Sequence, residues 1–302
     1  MQYLSLAALY GALLSVMNTA NARLSLVYGN WGATVMIHLV GLIVLLPVAF
    51  SWGRPRAKSP ALYHTGGLIG ILSVVFVNVG IAGLGVTANL VLMLLGQVAA
   101  SAAVDHLGLF GVRVHRVNGA KLVAMAVMAA GCGAMLLLSG ESVGGGGGTA
   151  VAALLSLLSG GTMIAARFAN AMLSERSGVG YSTVMNYVTG LIGSFLVFAA
   201  MGLRLETPFP ATGESLLIYT GGALGALGIF LANVVTPRLP ALHMSVVVFV
   251  GQVFTGMVID GLMGRFSAGT LVGGVVVAAG LLLNIRADGR GDHGANHQPE
   301  ES

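Results

Sequence analysis

The chain has 302 residues, 56% hydrophobic and only 8% charged, with a mean hydropathy of +0.90. A soluble domain carries about a quarter charged residues, so this chain cannot cover a globule of its size, and lipid must be its main solvent. The formal net charge of +4 is spread over short loops rather than gathered in a patch, which argues against nucleic acid as a partner.

Spanning a bilayer takes about 20 largely apolar residues. The first such segments fall at roughly 4–24, 32–51, 64–83, 86–105 and 117–138. Pro47 lies inside the second and is a tolerated kink. No Lys or Arg precedes Arg23, so the first segment lacks the basic region of a cleaved signal peptide and is expected to remain as a helix. Cys132 is the single cysteine and reads as a buried structural thiol. Glu141 to Thr149 follows, with Gly144 to Gly148 uninterrupted, and reads as a flexible seam. It lacks the Lys-Ser/Thr of a phosphate-binding loop. A second set of apolar segments falls at roughly 150–172, 182–202, 216–235, 241–261 and 268–285. The polar remainder, 287–302, reads as a disordered tail, and its His293 and His297 suggest only weak, adventitious metal binding.

The two sets align. An offset of 149 pairs Asn21 with Asn170, within TANARLS and FANAMLS. An offset of 155 pairs Gly66-Gly67 with Gly221-Gly222, Asn78 with Asn233, Gln97 with Gln252 and Asp105 with Asp260. The last two pairs sit in GQVAASAAVD and GQVFTGMVID. Five helices per half is an odd number, so the second half enters the membrane upside down. Arg54, Arg56, Lys58, Arg113, Arg116, Lys121, Arg176, Arg238, Arg286 and Arg290 then share one face, against Arg23, Arg204 and Arg265 on the other. The excess of positive charge places both termini in the cytoplasm. The expected fold is an all-α integral membrane protein of ten transmembrane helices in two inverted five-helix repeats. The halves are residues 1–139 and 150–286, joined by a Gly-rich linker at 140–149. Inverted repeats are a signature of secondary transporters.

Polar side chains inside a bilayer line functional sites or join helices, and both readings stand for each candidate. Gln97, Ser101 and Asp105 lie four residues apart and form one stripe within an arc of roughly 80°. Gln97, Gln252, Asn78 and Asn233 are candidates for a pseudo-symmetric substrate cavity. Asp105 and Asp260, at the last turns of their helices, are candidates for gates or proton carriers. Other polar residues break the symmetry: Asn18 aligns with Arg167, His38 with Tyr187, and Ile37 with Asn186. Asn18, Arg167, His38 and Asn186 are therefore candidates for selectivity. Arg167 is expected about six residues from its helix end, either snorkelling to the surface or contacting an anion. His38 could carry a proton or bond a neighbouring helix. No metal-ligand spacing or nucleophile elbow occurs, and no enzyme activity or cofactor is expected.

The segment GQVAASAAVDHLGLFG at 96–111 resembles the signature of the YdcZ-like family of bacterial membrane proteins, within the drug/metabolite transporter superfamily. GGLIG at 66–70 is similar to the start of that family's third helix, and Asn186 in VMNYVTGLI matches a family asparagine. Ile37 departs from that pattern, as does GLMGRF after Asp260. The resemblance covers about 1–285 as a tandem fusion. It implies a cavity between helices 1, 3, 4, 6, 8 and 9 with helices 5 and 10 peripheral. Small four-helix relatives export drugs through a glutamate in helix 1. Helix 1 here has no acid, so that mechanism does not carry over. The resulting expectation is a secondary transporter in the bacterial inner membrane, moving a small organic solute, with export favoured and proton coupling open. Lipid is its surrounding partner, and a homodimer is compatible. The rival is a non-transporting membrane scaffold.

Overall fold

A computed structural model of the protein describes residues 2–52, 57–84, 86–112, 114–138, 147–202, 204, 207–209, 215–262 and 268–295. The side chains of Asn78 and Asp260 lie outside the described set. The helical stretch Gln2–Trp52 is broken at Gly29, whose φ of 68° is left-handed and suits a residue without Cβ. The break divides it into α1 (2–28) and α2 (30–52). Eight more helices follow: α3 (Gly66–Leu84), α4 (Val86–Leu107), α5 (Gly119–Leu138), α6 (Gly147–Ser177), α7 (Val179–Ala200), α8 (Thr220–Val235), α9 (Ala241–Leu262) and α10 (Ala268–Ala295). Among the described residues, six stretches are long and apolar enough to cross a bilayer, and four others carry shorter apolar runs.

Two helix ends differ from expectation for one reason. Helix α6 runs on through Ser174, Glu175 and Arg176 and stops at Gly178, whose φ is 96°. Helix α10 runs to Ala295, through residues assigned above to a disordered tail. Polar residues end the apolar stretch but not the helix, because propagation gains a hydrogen bond per residue once a helix exists. Residues 296–302 lie outside the described set. The linker is also shorter than expected, since Gly147 already opens α6.

The halves interlock rather than sit side by side. Helix α1 packs on α8 and α9, and α6 packs on α3 and α4. Glycines make these approaches close. A Cβ on Gly11 or Gly251 would strike the backbone of Val248 or Ala8, and one on Gly96 or Gly160 the backbone of Leu157 or Met93. Gly11 is the sequence counterpart of Gly160, and Gly96 that of Gly251, so one crossing is built twice.

Counterpart helices also pack on each other, and they run antiparallel. In α5 and α10, Gly131 faces Gly273 and Val277, Gly269 faces Leu138, and Gly280 faces Met128. In α4 and α9, Asp105 meets Ala241 and Leu242, and four residues along, Ser101 meets Ser245. In α2 and α7, Gly41 lies against Tyr187 and Gly190 against His38. The main apolar core, with Met128, Cys132, Met244, Val248 and Val277, joins α1, α4, α5, α8, α9 and α10.

Candidate functional site

The segment Arg238-Leu239-Pro240 before α9 supplies no side chain able to cap it. Its first N–H groups would be unsatisfied. They are capped from 136 residues away. Asp105 Oδ1 accepts from the N–H of Ala241 at 2.7 Å, and Oδ2 from that of Leu242 at 2.9 Å. Asp105 is only 4% exposed. A carboxylate against a helix N-terminus is doubly favoured, by hydrogen bonds and by the helix dipole. This contact closes one end of the molecule, joining α4 of the first half to α9 of the second.

The rest of the motif serves this closure. Gly108 and Gly111 adopt left-handed φ of 63° and 75°, and Phe110 between them has φ of 60°. The strained Phe110 is held by stacking on Phe168 of α6, with centroids 5.3 Å apart. The turn then folds back, and the N–H of His115 donates to the carbonyl of Asp105 at 2.7 Å. The side chain of the counterpart Asp260 and residues 263–267 lie outside the described set, so its role as a second mouth has no geometry here.

One turn inward, Ser101 and Ser245 bond at 2.7 Å, both fully buried. Arg167 Nη1 donates to Ser245 Oγ at 3.1 Å, and the Tyr10 hydroxyl of α1 lies near its guanidinium. Arg167 is ten residues from the end of α6, not six, and 7% exposed. Its side chain is engaged beneath the closure, which corrects the snorkelling alternative. Gln97 is buried beside it along the same stripe, with Nε2 3.8 Å from Met163 Sδ.

Other candidates are joined to neighbouring helices. Asn170 Nδ2 donates to Asn186 Oδ1 at 2.7 Å. Asn233 Nδ2 donates to Ser182 Oγ and Thr183 Oγ1, each at 3.3 Å. Ser182 Oγ donates to the Asn170 carbonyl at 2.6 Å. This network ties α6, α7 and α8 together through Asn170, Asn186 and Asn233. His38 Nδ1 lies 2.8 Å from its own helix's Thr34 carbonyl, and its ring rests on Tyr187 with centroids 5.6 Å apart. Sequence reasoning did not single out Tyr10, Ser245, or the pair Tyr28 and Tyr219. The hydroxyls of that pair meet at 2.7 Å where the α1–α2 corner reaches α8. Tyrosine and serine are common enough in apolar helices to give no warning.

Counterpart residues differ in burial. Arg167, Asn170, Gln97 and Ser101 are buried, whereas Asn18 is exposed and Asn21, Gln252 and Gly256 are half-buried. The described residues on the Asp105 side are thus more buried than their counterparts.

A crystal structure of another protein superposes with a TM-score of 0.72, covering 96% of this chain and 97% of that one at 13% identity, which establishes a shared fold. No curated protein matches the chain. A family model, described as "Putative inner membrane exporter, YdcZ", matches residues 2–134 and again 151–283. The family model thus matches twice in tandem, and this membrane protein belongs to the DMT_YdcZ family.

Proposed function

We propose that the protein is a secondary transporter of a small organic solute, working by alternating access between two inverted five-helix repeats. One observation carries this reading. Counterpart helices pack antiparallel with matched glycine crossings, yet the described residues beside the Asp105 contact are buried where their counterparts are exposed or half-buried. An inverted repeat in two unequal conformations is what alternating access requires. The sealed face holds Asp105 and the turn carrying Arg116 and Lys121, so it is the cytoplasmic face, with both termini on that side. This conformer is closed to the cytoplasm. Export accords with the family description. Protonation of Asp105 would weaken both bonds to α9, so this carboxylate is also where a proton would couple to opening.

The test is a lock. Ser101 and Ser245 oxygens are 2.7 Å apart, close to the roughly 2 Å of a disulfide. Ser101→Cys with Ser245→Cys, in a Cys132→Ser background, is reconstituted into liposomes loaded with a metabolite mixture. Efflux is followed by mass spectrometry. The reduced protein should move at least one solute down its gradient, oxidation should stop that flux, and reductant should restore it. Folded protein that moves no solute, or flux that persists through the cross-link, defeats the proposal.

A further inference from the structure

Arg167 is a cation 7% exposed in a membrane helix. Its hydrogen-bond partner is the Ser245 hydroxyl, with the Tyr10 hydroxyl nearby. Among the described residues no carboxylate pairs with it. Asp105, the buried acid on the neighbouring helix α4, has both oxygens committed to the N-terminus of α9, and its basic neighbours are His115 and Lys121. A desolvated cation costs several kcal/mol unless it is paired, and neutral hydroxyls return only part of that. An ionisable side chain kept at such a cost in a membrane interior marks a site. A guanidinium carries five N–H donors in a planar fork, which suits bidentate capture of a carboxylate or phosphate. The counterpart position in the first half is Asn18, which is neutral, so the site has a polarity that the scaffold's symmetry does not impose.

We propose that Arg167 is the anchoring site for a small organic anion, so that the transported solute carries a carboxylate or a similar oxyanion. Tyr10 from α1 and Ser245 from α9 hold the guanidinium between the two halves, one turn inside the Asp105 closure. An anion bound there bridges the repeats at the depth where the cytoplasmic end seals. The inference rests on the transporter reading, but its test measures binding without flux. Anion binding without any flux would therefore count against transport alone.

Thermal unfolding of the purified full chain in detergent reads the binding by mass action. The probes are benzoate, acetate and inorganic phosphate, compared at equal ionic strength with the neutral isostere benzamide and the cation benzylammonium. At least one anion should raise the unfolding temperature in a saturable way, and benzamide and benzylammonium should not. Arg167→Gln should abolish that shift. Arg167→Lys should retain part of it, because an ammonium keeps the charge but loses the fork. An absence of shift from all three anions overturns the proposal, as does equal stabilisation by benzamide or an undiminished anion response in folded Arg167→Gln. If Arg167→Gln does not fold, the wild-type comparison of anion with isostere decides, together with Arg167→Lys.

Discussion

Removing the Asp105 carboxylate should open the sealed face. Its two bonds to α9, at 2.7 and 2.9 Å, are charge-assisted and buried. They exist only while the face is closed. Once it opens, water hydrates both the carboxylate and the helix end, so the contribution to closure is the net value. Hydrogen bonds to a charged group contribute about 1.5–3 kcal/mol net, and a lost helix cap costs about 0.5–2 kcal/mol. Taking about 2 kcal/mol, Asp105→Ala shifts the closed-to-open ratio by about thirtyfold. Asp105→Asn keeps a neutral acceptor, so it should lose about 1 kcal/mol, or about fivefold.

Ser101 reports the shift, because it is fully buried one turn inside the closure. A Ser101→Cys variant in a Cys132→Ser background is exposed to a membrane-impermeant thiol reagent in inside-out and right-side-out vesicles. Adding Asp105→Ala should raise the labelling rate from the sealed face by up to thirtyfold, with Asp105→Asn between that and the parent. The rise should come from one vesicle orientation only. Labelling unchanged by Asp105→Ala in folded protein would refute the closure. An equal rise from both faces would show general loosening instead.

Two further perturbations test the frame around the site. Gly96→Val places side-chain carbons against the backbone of Leu157, and Gly251→Val against that of Ala8. Each should destabilise by about 1–3 kcal/mol or more, read as a lower unfolding temperature, while Gly133→Ala, in open space, should not. Asn233→Leu removes two bonds, to Ser182 and Thr183, and leaves each hydroxyl only its donor bond, to the carbonyl of Asn170 or Val179. The expected loss is about 1–3 kcal/mol in thermal stability, with solute binding retained in the folded fraction.

Spans and repeat were legible because both rest on features read one residue at a time: apolar length, and the order of rare polar residues. The partner of Asp105 was not legible. Its bonds reach across 136 residues, and the only local trace is the missing cap before Ala241. The polar pairs were ambiguous for a physical reason. A residue lining a cavity and a residue joining helices both turn a polar side chain inward, so Asn186 and Asn233 look alike in sequence whichever they do. The depth of Arg167 was misjudged because Glu175 and Arg176 end the apolar run while the helix continues to Ser177. The unlike counterparts His38 and Tyr187 touch each other where α2 crosses α7, and each packs on a glycine of the other's helix, Gly190 or Gly41.

On the proposed transporter reading, the matched crossings point to where motion would occur. Gly96 lies on Leu157, and Gly251 lies on Ala8 in the same manner, although the described residues toward Asp105 are more buried than their counterparts. Contacts common to both halves are the ones that opening would preserve, so we propose these crossings as pivots. Asp105 stands nine residues beyond Gly96 on the same helix, a lever of about 13 Å. A tilt of about 15° at the crossing moves the carboxylate by about 3.5 Å on that lever. That is enough to break bonds of 2.7 and 2.9 Å. The Ser101–Ser245 bond, halfway along the lever, moves about half as far, so the outer closure must release before the serine pair above Arg167 parts.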